Sequence, residues 1–109
     1  MTAYVILLRE SVEQDKDFSR YRALAPASLV GRGSVPLAQS RTGEMAVLEG
    51  PEAEGVTIFT FPSMAEARAW YDSPEYQAAR AARDGIAVCR IIAVENDEPL
   101  ARPEAGDAQ

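Results

Sequence analysis

The chain has 109 residues, 47% of them hydrophobic, and a net charge of −6. That length holds one hydrophobic core and is too short for a second, while the negative charge repels nucleic-acid phosphates and anionic lipid headgroups, so neither is an expected partner. Histidine is absent, which excludes serine triads built on imidazole and histidine-ligated metal or haem; no metal or cofactor is expected.

No apolar run approaches the roughly 20 residues of a membrane span, and no basic, apolar and small-residue leader pattern opens the chain, so a cytoplasmic location is expected. Tyr4-Val5-Ile6-Leu7-Leu8 is short, branched and followed by the charged Arg9 and Glu10, and reads as a strand. Asp15 is placed to cap the next helix, in which Phe18, Tyr21, Leu24 and Ala25 recur at three- and four-residue spacing. Pro26 breaks or kinks that helix, a short helical piece continues to about Val30, and Gly31 and Gly33 supply the exit. Residues 35–39 form a weaker strand whose Pro36 suits a sheet edge. Thr42-Gly43 turns the chain, residues 45–49 read as a further short strand, and residues 50–55 as an exposed acidic loop. Residues 56–61 are the strongest strand candidate.

Ser63 and Glu66 have the spacing of a capping box. In the helix behind them Met64, Ala67 and Tyr71 share a face with Trp70 at its flank, which sets the aromatic pair on the sheet. Ser73-Pro74-Glu75 restarts the helix with a cap, a first-turn proline and an acid at the positive end of the dipole. Its exposed side is basic through Arg80 and Arg83, and Gly85 ends it. Residues 86–94 are the last strand. Cys89, the single cysteine, reads as a small buried hydrophobe rather than a reactive thiol, since Arg90 points to the other face. Residues 96–109 read as a flexible acidic tail, leaving 1–95 as the folded domain.

Two strand-helix-strand crossovers make this an α+β chain, a ferredoxin-like βαββαβ sandwich with an extra short strand. The first strand and the strand before the second helix take the centre. Along them Tyr4, Ile6 and Leu8 oppose Val5 and Leu7, Ile58 opposes Phe59 and Phe61, and Ile91 opposes Ile92 and Val94. Both sheet faces are apolar, and helices cover only one. Burying each large apolar side chain is worth about 1.5–3 kcal/mol, so a second copy is expected on the other face, giving a homodimer as a dimeric α+β barrel.

Tyr4-Val5-Ile6, Phe18-Ser19-Arg20-Tyr21-Arg22, Val47-Leu48-Glu49-Gly50, Phe61-Pro62-Ser63 and above all Ala69-Trp70-Tyr71-Asp72-Ser73-Pro74-Glu75-Tyr76-Gln77 resemble a family of about one hundred residues known as a domain of unknown function, within the dimeric α+β barrel superfamily. The similarity spans residues 3–95. It implies a ferredoxin-like protomer and a dimeric barrel without assigning an activity; more distant relatives are similar to cofactor-independent monooxygenases, lactone isomerases and haem-degrading proteins, and fold alone transfers none of these. The family usually has a basic residue and a glutamate at the ends of the strand before Phe61-Pro62-Ser63, where Gly55 and Thr60 stand here.

Tyr21 and Arg22 could place a phenol and a guanidinium in a pocket between helix and sheet, suited to an anionic or carbonyl-bearing aromatic ligand, or else pack and be solvated respectively. Trp70, Tyr71 and Tyr76 could line an aromatic cavity or fill the core. Glu49 is the remaining candidate for a base, and Arg41 could pair with it across the hairpin or the dimer contact, or at the surface. Three readings follow: a homodimer binding a small apolar or aromatic molecule, a cofactor-independent monooxygenase or isomerase acting on an aromatic or lactone, and a purely structural interaction module.

Overall fold

The computed structural model describes residues 1–97, and the expected tail falls, apart from its first two residues, outside them. Strands β1 (Thr2–Val12), β2 (Val35–Gln39), β3 (Gly55–Phe61) and β4 (Ala87–Asn96) form one sheet in the order β2-β3-β1-β4. Every pairing is antiparallel. Helices α1 (Ser19–Ala27), α2 (Met64–Asp72) and α3 (Pro74–Ala82) complete the ferredoxin-like arrangement.

β1 is longer than the apolar run suggests. Arg9 pairs in register with Gly55 on one side and Cys89 on the other, and a bulge between Arg9 and Ser11 lets Ser11 and Val12 continue along β4. β2 is the expected edge strand. The further strand expected over residues 45–49 does not form: that segment is unpaired, with Leu48 95% exposed. Both edges of β3 are taken by β1 and β2, and the outer edge of β2 is a poor template, because Pro36 lacks an N–H and the ladder is irregular between Pro36 and Ala38.

Local capping sets the helices. The N-cap of α1 is Phe18, which makes no side-chain cap bond, rather than Asp15; one residue ahead, Asp17 Oδ1 accepts the Ser19 N–H at 2.9 Å, and hydrogen bonding from Ser19 holds its carboxyl below the usual range. Pro26 does not break α1, which runs to Ala27, since proline in a last turn forfeits only one hydrogen bond. Ser63 Oγ accepts the Glu66 N–H at 3.2 Å, half of the expected capping box. Glu95 Oε2 on β4 also accepts the Met64 N–H at 2.7 Å, so the sheet itself caps α2. Ser73 closes one helix and opens the next, donating to the Trp70 carbonyl at 2.6 Å and accepting the Tyr76 N–H at 3.1 Å.

The core lies between helices and sheet. Trp70 is at its centre rather than at the flank of α2, while Tyr71 is half-buried. The indole meets Phe59 edge-on at 5.3 Å, Phe61 at 5.5 Å and Tyr76 at 4.4 Å between ring centroids. Its N–H donates to Ser28 Oγ at 3.0 Å, which satisfies the one polar atom that burial would otherwise orphan. On the other face of the same sheet Ile6, Ile92, Val94 and Val88 are 40%, 47%, 55% and 56% exposed, against 1% for Val5 and Phe61. Both faces are apolar, as alternation along the strands requires, and the helices cover one.

Candidate functional site

Two cavities lie along the helix-covered layer. The larger, about 470 Å³, is bounded by α1 and the turn after it, strands β1, β2 and β3 and the start of the loop after β2. Tyr21 and Arg22 reach it from α1, Arg9 from β1, Phe59 from β3, and Ser34 and Arg41 from either side of β2. The smaller, about 320 Å³, lies under α2 and includes Trp70, Tyr71, Val5 and Ile91 in its wall.

The residues singled out by sequence therefore do not form one site. Tyr21, Arg22 and Arg41 share the larger cavity, whereas Trp70 and Tyr71 border the smaller. Tyr76 is fully buried and joins the two regions through its hydroxyl, 3.2 Å from that of Tyr21. Glu49 is exposed on the loop before β3 and borders neither cavity. Arg41 and Glu49 make no ion pair; among the described residues the ion pair found is Arg32 with Glu75, at 3.3 Å.

Arg9 is the residue that sequence reasoning passed over. Taken as the charged end of a strand, it sits instead on the side that Ala3, Val5 and Leu7 bury, and the period of two along β1 is the signal that could have found it. Its guanidinium lies 5.6 Å from the centre of the Phe18 ring, and that of Arg22 lies 5.2 Å from the same ring. Cation–π attraction to a shared ring offsets part of the repulsion between them. Gly55 leaves room for Arg9: a Cβ there would push the guanidinium aside and come within 2.9 Å of Ser40 Oγ. No Asp or Glu lines this cavity. Arg9 and Ser34, both in its wall, each carry one buried polar atom, Nε and Oγ, without a hydrogen-bond partner among the described residues.

The titratable groups nearby are held protonated. Burial, then the Tyr76 phenol, drives the Tyr21 phenol far above the usual tyrosine range, so it serves as a hydrogen-bonding group and not as a base. Arg83, expected as a solvated cation at the end of α3, is half-buried with its guanidinium 5.7 Å from the Tyr21 ring centre. The reason is the packing of α3 on α1, which turns the last turn of α3 inward. Cys89 is half-buried, and burial raises its thiol despite the opposing pull of Arg83 and Arg9. Such a thiol is a poor nucleophile at neutral pH. Among the described residues no three His, Cys, Asp or Glu side chains converge as metal ligands, and no helix is long and apolar enough to cross a membrane.

Comparison with solved structures agrees on the architecture. A protein of unknown function from Rhodopseudomonas palustris shares 20% identity over 90% of this chain and 84% of its own, with a TM-score of 0.65. A dimeric protein of unknown function and ferredoxin-like fold from Bacteroides fragilis shares 10% identity over 87% and 96%, with a TM-score of 0.53. SnoaB, a cofactor-independent oxygenase from Streptomyces nogalater, shares 10% identity over 93% and 97%, with a TM-score of 0.56. At these identities the likeness is one of fold. No curated protein matches the chain. A family model matches residues 2–97, nearly the whole described length, and the chain accordingly belongs to the DUF1330 family, a domain of unknown function.

Proposed function

We propose that the chain works as a homodimer, its uncovered sheet face packed on that of a second copy, and binds a small apolar or aromatic molecule in the cavity between α1 and the sheet. The observation that carries the binding reading is that cavity: about 470 Å³, within the range of small-molecule sites, with Leu7, Phe18 and Phe59 in its wall and polar groups at a few points. Self-association is supported by the exposed Ile6, Val88, Ile92 and Val94, an apolar surface of the kind that marks an interface, and by the neighbour described as dimeric. Sedimentation velocity at micromolar concentration should give a dimer, and Ile92→Glu should give a folded monomer; a wild-type monomer would remove the dimer. Native mass spectrometry of protein purified without denaturation should find a retained small molecule in the wild type, and its loss on narrowing the cavity with Ala25→Trp. Retention unaffected by Ala25→Trp would place the ligand elsewhere.

The fold shared with SnoaB favours a second reading, a cofactor-independent oxygenase or isomerase acting on an activated aromatic or lactone. Such substrates carry their own reactivity, so orientation and removal of one proton suffice. Glu49 and Arg41 are the residues this reading would use, although Glu49 stands outside the cavity within one chain. Turnover abolished in Glu49→Gln and Arg41→Ala, with dimerisation intact, would support it; unchanged rates would take both residues out of the mechanism.

A further inference from the structure

The larger cavity is electrostatically unlike the rest of the molecule. The chain carries 17 acidic residues against 11 basic ones, yet Arg9, Arg22 and Arg41 line this cavity and no carboxylate does. None of the three forms an ion pair among the described residues. Arg22 and Arg41 are exposed and Arg9 is half-buried, so positive charge runs from the surface inward. A cleft of one charge sign with low-dielectric walls concentrates ions of the opposite sign.

The polar satisfaction points the same way. A buried guanidinium nitrogen and a buried hydroxyl without partners each carry a desolvation cost, and here both Arg9 Nε and Ser34 Oγ border one cavity. The Arg9 guanidinium lies in the wall of that cavity, and a carboxylate is suited to two parallel bonds from a guanidinium edge. Phe18, Phe59, Leu7 and Leu29 leave apolar wall for the remainder of such a ligand. A dianionic phosphate would bring a second charge against those walls and a larger desolvation cost.

We infer that this cavity binds an amphipathic monocarboxylate, an apolar or aromatic body bearing one carboxylate, with Arg9 as the residue that recognises the head group. Arg22 and Arg41 steer the anion to the mouth. The inference rests on the small-molecule reading proposed above and names its ligand class.

Isothermal titration of the full chain tests it with 2-naphthoate and octanoate, the neutral 2-naphthamide and octanamide, and inorganic phosphate. At least one carboxylate should bind about tenfold or more tightly than its amide, the scale of one charge-assisted hydrogen bond. Arg9→Gln should erase that preference, bringing carboxylate affinity down to that of the amide. Arg41→Gln, at an exposed position that folding does not depend on, should weaken carboxylate binding about two- to threefold through loss of steering charge. Amides binding as well as carboxylates, a preference that survives Arg9→Gln, or phosphate binding more tightly than both carboxylates would each overturn the carboxylate assignment and leave the cavity as a binding site. No binding by any probe would overturn both.

Discussion

The two ends of the helix-covered layer are built on the same sheet and differ in how they treat polar groups. Under α2 and α3, Trp70 interlocks with Phe59, Phe61 and Tyr76, and its N–H, the Ser28 hydroxyl and the Ser73 hydroxyl all have partners. Under α1, three arginines and two serines border about 470 Å³ of cavity, and two of their buried polar atoms, Arg9 Nε and Ser34 Oγ, have none. One end is organised for stability. The other gathers unpaired arginines around open space, while the remaining buried atom without a partner, Arg83 Nε, lies where α3 meets α1; a core beside a site grafted onto it has this relation.

The largest expected effect breaks the stable end. Trp70→Ala should cost about 3–5 kcal/mol in urea unfolding, the range for deleting a buried aromatic side chain; a loss under 1 kcal/mol would mean that the aromatic cluster does not organise the core. Ser73→Ala should cost about 1–2 kcal/mol, because one hydroxyl serves the end of α2 and the start of α3. Ser63→Ala, an exposed cap with one bond, should cost less.

The junction between the ends has its own pH signature. The Tyr21 phenol is raised in the folded state by burial and by Tyr76, so its contribution is complete below the ordinary tyrosine value of about 10 and is lost as pH climbs above it, when the unfolded chain ionises first. Stability should therefore begin to fall near pH 10 and go on falling as pH rises further, and Tyr21→Phe should flatten that fall. An equal slope in both proteins would show that other groups govern alkaline unfolding. The smallest effect sharpens the contrast: Arg9→Met should change stability by no more than about 1 kcal/mol, since it removes a buried donor that lacks a partner.

Much of the stable end was legible in the sequence. The serines at 63 and 73 announce their helices through local spacing, Pro36 announces an edge, and alternation through residues 4–8 separates two apolar faces. These signals act over a few residues. The features that local spacing does not show depend on distant partners: Glu95 caps α2 from β4, and Tyr21 meets Tyr76 across 55 positions; the strand expected over residues 45–49 finds no partner among the described residues. The candidate site was legible only in pieces. Tyr21, Arg22 and Arg41 carry readable signals, and so does Arg9 through the alternation with Ala3, Val5 and Leu7; its charge, at the end of the apolar run, masks that position. Trp70, Tyr71 and Tyr76 read from sequence as an aromatic cavity or as core, and the fold uses them as both: Trp70 and Tyr76 are buried, and Trp70 and Tyr71 border the smaller cavity.

Backbone amide NMR during titration with 2-naphthoate tests the division between the two ends most directly. Shifts should concentrate at Tyr21, Ser34, Ser40 and Gly55, with Met64, Tyr71 and Ile91 unmoved. Shifts centred on the second group, or spread evenly over both, would contradict it.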